Sequence, residues 1–273
     1  MTHASTTPLL ARALAAAALL TTLLTTVHTA QAQAVPEELP QELPARDNQA
    51  GGAQWGAGLG AGIDRKVYRD FDNDVSALPL LMYENRHISF FGATLDYKLP
   101  QVGQFSFRLR ARYAGDGYEA KDSPYLAGMA ERKGGLWLGG AAIWQSGLAR
   151  VSAEALAATG DAEGKRIKLE VSRGFSSGNL TLTPRIAANW YDDKFVDYYY
   201  GVRADEVRAG RADYKGEAAT NAEVGLRFGY AIKPRHNVFV DVSASTLGSG
   251  IKDSTIVARS SDSSVKLGYL YAF

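Results

Sequence analysis

The chain has 273 residues, with 30 Lys and Arg against 29 Asp and Glu, and its net charge is +1. So close a balance excludes the basic surface that a nucleic-acid binder needs, and no nucleic-acid partner is expected. The lack of cysteine excludes disulfides and thiolate metal sites, while 28 glycines and 14 tyrosines suit an all-β protein with aromatic girdles.

Arg12 is the only charge in the first 34 residues. An apolar run over 13–24 follows it, and then come Ala30-Gln31-Ala32 and Ala32-Gln33-Ala34, both small-residue cleavage patterns. Residues 1–34 therefore read as a cleaved secretory signal peptide. The unbroken apolar core, 13–20, is too short for a spanning helix. Residues 35–53 are rich in Pro and Glu and then Gly, the composition of a disordered periplasmic tether.

From residue 54 to 273 the chain reads as strands. Trp55, Leu59 and Ile63 share one face of a glycine-rich segment. Phe105, Phe107 and Leu109 alternate with Arg108, Arg110 and Arg112. Ile167, Leu169 and Val171 alternate with Arg166, Lys168 and Glu170; Val224 and Phe228 alternate with Glu223 and Arg227; Val240 and Val242 flank Asp241. Weaker, small-residue strands cover 135–145 and 149–158, and another covers 180–190. Many such strands, each long enough to cross a bilayer when tilted, form the pattern of a transmembrane antiparallel up-and-down β-barrel. No stretch after the signal approaches the apolar run that a helical span requires.

The connections support that order. Counting back from the C-terminus, long links (247–262, 191–219, 115–134) and one of intermediate length (159–164) alternate with short ones (233–236, 176–179, 145–148, 98–103), as external loops alternate with periplasmic turns. Residues 79–97 break the count. Two strands there, with a turn at Asn85-Arg86, give eleven in total, whereas both termini at the periplasm require an even number. One kinked strand gives ten, the preferred reading; an additional strand, sought within 191–219, gives twelve.

The last strand has Val265, Leu267, Tyr269, Tyr271 and Phe273 on one face. It reads as the closing strand, with its aromatics at the periplasmic interface and its terminal Phe as the signal for the barrel insertion machinery. Outer-membrane lipids are then the solvent of the barrel's outer face.

Predicted lumen positions carry Arg108, Arg110, Arg112, Arg150, Arg166, Lys168, Arg185, Arg227 and Lys266, opposed by Glu154, Glu170, Glu223 and Asp241. An interlaced ion-pair network filling a narrow lumen is favoured over a small channel with a basic lumen. Tyr198, Tyr199 and Tyr200 lie in a predicted external loop, where they either pack over the mouth or form an adhesin surface. After the signal the only histidines are His87 and His236, with neither metal-ligand spacing nor an evident nucleophile. No enzyme activity, metal or cofactor is expected.

Several stretches also resemble the MipA/OmpV family of outer-membrane proteins. They are Leu78-Pro79-Leu80-Leu81-Met82-Tyr83-Glu84-Asn85, Asp122-Ser123-Pro124 with Leu126-Ala127-Gly128-Met129 and Arg132, and Leu182-Thr183-Pro184 followed by Trp190. Tyr198-Tyr199-Tyr200-Gly201-Val202, Asp253-Ser254-Thr255-Ile256-Val257 and Gly268-Tyr269-Leu270-Tyr271-Ala272-Phe273 complete the set. Thr255 stands where the pattern has Pro. The resemblance implies an outer-membrane barrel. For one branch it implies a scaffold joining a murein-cleaving lytic transglycosylase to a murein synthase; other members imply adhesion or antibiotic response.

Overall fold

A computed structural model describes residues 53–273. The signal peptide and nearly all of the tether lie outside the described residues. The alternating segments become β1 (Gln54–Arg65), β2 (Asp74–Glu84), β3 (Ile88–Phe91), β4 (Thr94–Lys98), β5 (Phe105–Ala114), β6 (Gly135–Gln145) and β7 (Arg150–Thr159). They continue as β8 (Lys165–Ser172), β9 (Phe175–Ser177), β10 (Leu180–Tyr191), β11 (Ala219–Lys233), β12 (His236–Thr246) and β13 (Ser261–Ala272). All pairs are antiparallel, and the β10–β11 pairing closes one sheet on itself.

The thirteen segments make twelve staves, because β8 and β9 are one stave. Both pair with β10 in a single unbroken register. The interruption falls at Arg173-Gly174, opposite Pro184, which has no N–H to give to the ladder.

Twelve staves replace the preferred count of ten, and the extra strand does not lie within 191–219, which holds a helix. It lies in 88–97. Asn85 forms a true turn, its side-chain oxygen accepting from the amides of His87 (2.8 Å) and Ile88 (2.6 Å). A second reversal follows at once, where Phe91 pairs with Thr94 around Gly92-Ala93, with Gly92 at φ 58°. Ser89 and Phe91 face inward, and then Thr94 and Asp96 do, so the alternation changes phase across this turn.

The β3–β4 hairpin is short, and β2 rises beyond it. Leu81 carbonyl accepts from Gly92 N–H at 3.1 Å. Above that bond the β2 edge facing away from β1 has no strand partner among the described residues. Pro79 sits on that edge in the parity whose N–H would point outward, so it forfeits no ladder bond.

The barrel's outer wall is apolar. Leu59, Leu109, Leu169, Val224 and Val242 are all exposed on it, as lipid-facing positions must be. Aromatics gather at the end where β1 begins and β13 finishes: the Trp55 and Tyr83 rings pack at a tilt with centroids 4.3 Å apart, and Tyr271 meets Phe273 edge-on at 5.2 Å. The amide of Phe273 donates to Trp55 carbonyl at 2.8 Å, so the last residue is bonded to the first stave. That end is the periplasmic one, since the turns there are short and the loops at the opposite end long.

Candidate functional site: the lumen and its cap

Four glycines of β1 (Gly56, Gly58, Gly60, Gly62) and Gly268 of β13 thin one side of the barrel wall. A Cβ at Gly268 would lie 2.4 Å from the Phe239 ring. Into this space pack Leu80, Phe91, Phe239 and Leu270, with Met82 against them. An apolar cluster therefore fills the β12–β3 side of the lumen, and the ion pairs gather on β4–β11 and around Asp241 of β12.

Those side chains form two ion-pair clusters. In the first, Asp96 of β4 takes both Nε and Nη2 of Arg110 (2.7 and 2.8 Å) and Nη1 of Arg108 (3.1 Å). Glu154 of β7 pairs with Arg110 and accepts twice from Arg112 (3.0 and 2.8 Å). In the second, Asp241 takes both Nη atoms of Arg185 at 2.9 Å and Nη2 of Arg227 at 2.9 Å. Glu223 accepts from Arg185 Nε and Lys168, each at 3.1 Å, and Lys168 also lies 3.5 Å from Glu170. Strand register sets two of these pairs: Asp96 lies opposite Arg110, and Asp241 opposite Arg227.

Three more of the predicted charges, Arg166, Lys266 and Arg150, also face the lumen. Arg166 stands 4.8 Å over the Trp137 ring and 3.9 Å from Asp116, and Lys266 is 4.0 Å from Asp64. Arg150 lines the periplasmic end of the lumen. Two cavities flank the second cluster, and Arg185 borders both. A cavity of about 190 Å³ lies towards the loops, and one of about 530 Å³ opens towards the periplasm.

The external loops build a cap with its own hydrophobic core. Loop 192–218 carries α1 (Asp193–Tyr200), whose first turn is capped by Asp192 accepting from Phe195 N–H at 2.9 Å. Its buried stripe, Phe195, Val196 and Tyr199, packs with Trp137, Leu126, Met129, Tyr68 and Ile256 from the neighbouring loops and strand tops. Loop 247–260 contributes α2 (Ser249–Lys252), with Ile251 buried. The three tyrosines belong to this packing. Tyr199 is fully buried, Tyr200 stacks on Tyr68 at 5.6 Å, and Tyr198 accepts from Lys133 N–H at 3.1 Å.

Charged groups staple the cap. Arg132 and Glu206 are both buried and pair at 2.8 Å, while Arg132 Nε donates to Tyr198 carbonyl at 2.7 Å. Arg211 donates to Tyr125 carbonyl at 2.6 Å and Glu206 carbonyl at 2.9 Å. Burial opposes ionisation of Glu206, but hydrogen bonds from Arg132 and from the amides of Arg203 and Ala130 prevail and hold its carboxyl below the usual range. Burial pushes the Tyr118 hydroxyl up to about 12, and that of Tyr68 also well up. Thr255, where Pro was expected, donates its hydroxyl to Ala212 carbonyl at 2.9 Å.

Sequence reasoning missed Asp96, because the hairpin containing it was read as one kinked strand. It also left Glu206 and Arg211 without a role. Nothing local distinguishes those two from other loop charges; only their distant partners do. The histidines sit in the girdle: His236 Nδ1 is 2.7 Å from Tyr269 hydroxyl, and His87 stacks on Tyr97 at 6.4 Å.

A family model described as MltA-interacting protein MipA matches residues 57–273. YiaT of Escherichia coli (strain K12), named for the outer membrane, is 27% identical over 224 residues, covering 76% of this chain and 85% of that one. The MltA-interacting protein of the same organism is 25% identical over 221 residues, again with 76% and 85% covered. Among solved structures, an outer membrane channel from Pseudomonas putida F1 aligns with a TM-score of 0.42 at 11% identity, covering 85% of this chain and all of that one.

Proposed function

The chain belongs to the MipA family of outer-membrane barrels, and from that premise we propose that it is a non-enzymatic scaffold. It holds murein-remodelling enzymes, a lytic transglycosylase and a murein synthase, at the inner surface of the outer membrane. The observation that carries this reading is the name of a relative over most of its length, the MltA-interacting protein. The packing of the barrel supports it. Ion pairs cross the lumen and the cap covers the outer mouth, so the surface offered to periplasmic enzymes is the set of short turns and the acidic segment 35–53.

The non-enzymatic part rests on the placement of the histidines in the aromatic girdle, away from the lumen carboxylates. Affinity capture tests the scaffold. The full chain should recover a murein transglycosylase or synthase from the periplasmic fraction, and deletion of residues 35–52 should reduce that recovery. Failure of the full chain to recover any murein enzyme overturns the reading.

A further inference from the structure

The charges of the periplasmic rim are nearly all of one sign. Its turns and strand ends carry Arg86, Lys98, Arg150, Arg173, Lys233 and Arg235. Among the described residues the only side-chain carboxylate there is Glu84, which pairs with Lys98; the α-carboxylate of Phe273 is the one other anion. Arg86, Lys233 and Arg235 are exposed, and no carboxylate among the described residues pairs with them.

These three bases flank the place where segment 35–52 joins the barrel. β1 begins at Gln54, between β2 and β13. Arg86 lies in the turn that follows β2, one stave away. Lys233 and Arg235 lie on the turn between β11 and β12, and Ala272 N–H of β13 donates to Arg235 carbonyl at 2.8 Å. Arg235 is therefore two staves from β1 on the other side, at roughly 5 Å per stave. Segment 35–52 lies outside the described residues, and what it brings is its composition: Glu37, Glu38, Glu42 and Asp47 against Arg46 alone. The stretch 42–53, when extended, spans roughly 36 Å, so its carboxylates reach the turns on both sides.

We infer that this acidic segment docks on the basic turns of its own barrel, with its glutamates against Arg86, Lys233 and Arg235. Attachment gives the carboxylates an effective concentration on the order of millimolar at the turns, so contacts too weak to hold a free peptide suffice. Pro36, Pro40 and Pro44 each fix one backbone angle, which lowers the entropy lost on docking. A periplasmic protein that takes hold of these glutamates must first displace the turns. The inference does not rest on the scaffold reading, since both sides of the contact belong to this chain.

Carbodiimide coupling, which joins a carboxylate to an amine in contact with it, tests the docking on the full chain in phosphatidylcholine vesicles. At low salt Lys233 should couple to Glu37, Glu38 or Glu42, identified by mass spectrometry of the linked peptides. Raising salt from about 0.01 M to about 1 M shortens the screening length from about 30 Å to about 3 Å, and the yield should fall at least about tenfold. The Glu84–Lys98 pair should couple at both salt concentrations and serves as the internal standard. Joint reversal, Arg86→Glu with Arg235→Glu, should lower the Lys233 yield about tenfold at low salt, with Glu84–Lys98 coupling reporting an intact rim. The salt series needs no variant, so it decides the matter even if the reversed chain does not fold. Absence of the Lys233 link while Glu84 couples to Lys98, or a yield indifferent to salt, overturns the docking. Loss of the link in vesicles containing phosphatidylglycerol would give the rim to lipid phosphates and overturn it too. Loss of murein-enzyme capture with the Lys233 link intact would instead strike only the scaffold.

Discussion

Asp241 answers two arginines at once, Arg185 through both Nη atoms and Arg227 through Nε and Nη2. It is 2% exposed, so its charge is held mainly by these arginines. A buried ion pair contributes little net stability, but removing one partner strands the other charge. Asp241→Asn should therefore cost about 3–5 kcal/mol, measured by denaturant unfolding of the refolded barrel. A cost near zero would mean that water enters the cluster freely. Phe273 is the opposite case. The residue is 67% exposed, and the hydrogen bond from its amide to Trp55 does not depend on the ring. Phe273→Ala should leave folded stability nearly unchanged but lower outer-membrane abundance and raise degradation, read by fractionation and immunoblot. Unchanged abundance would show that the terminal ring is not read during insertion.

At the scale of elements, the cap depends on two loops far apart in sequence. Arg132 of loop 115–134 and Glu206 of loop 192–218 pair in a site that both bury. The native carboxyl of Glu206 titrates below its ordinary value of 4.5. Its contribution is therefore complete above that ordinary value and is lost as pH falls through the lower native one. Acidification should increase hydrogen exchange in residues 203–211 before it affects the strands. Glu206→Gln should produce the same loosening at neutral pH. If exchange in 203–211 rises only together with that of β5 and β11, the cap is not a separate unit. The β3–β4 hairpin was also hard to see, for a related reason: each strand is four or five residues long. Two such strands fit within the length of one kinked strand. The sign available in the chain was the phase change across Gly92-Ala93, which moves the inward positions from Ser89 and Phe91 to Thr94 and Asp96.

For the whole molecule, the apolar cluster and the two ion-pair clusters lie side by side across one lumen, beneath the cap. In planar bilayers at neutral pH the purified protein should show no stable anion-selective conductance. A stable conductance of that kind would show that the cap and the clusters part together.

The sequence by itself determined what the alternation of single residues can decide. A period of two, repeated from Trp55 to Phe273, assigned the lipid and lumen faces, and it put Arg110, Glu154 and Asp241 on the inner one. The contrast between long and short links oriented the barrel. Tertiary structure decided which charges meet. Asp96 joins Arg110 through the register of a hairpin that a phase break conceals, and Arg185 reaches Asp241 across 56 residues. It also decided that the external loops form a common core and that Phe239 enters the space left by Gly268. Alternation is a property of neighbours along the chain and survives in the sequence; partnership across a closed sheet depends on register and closure, which no local pattern encodes.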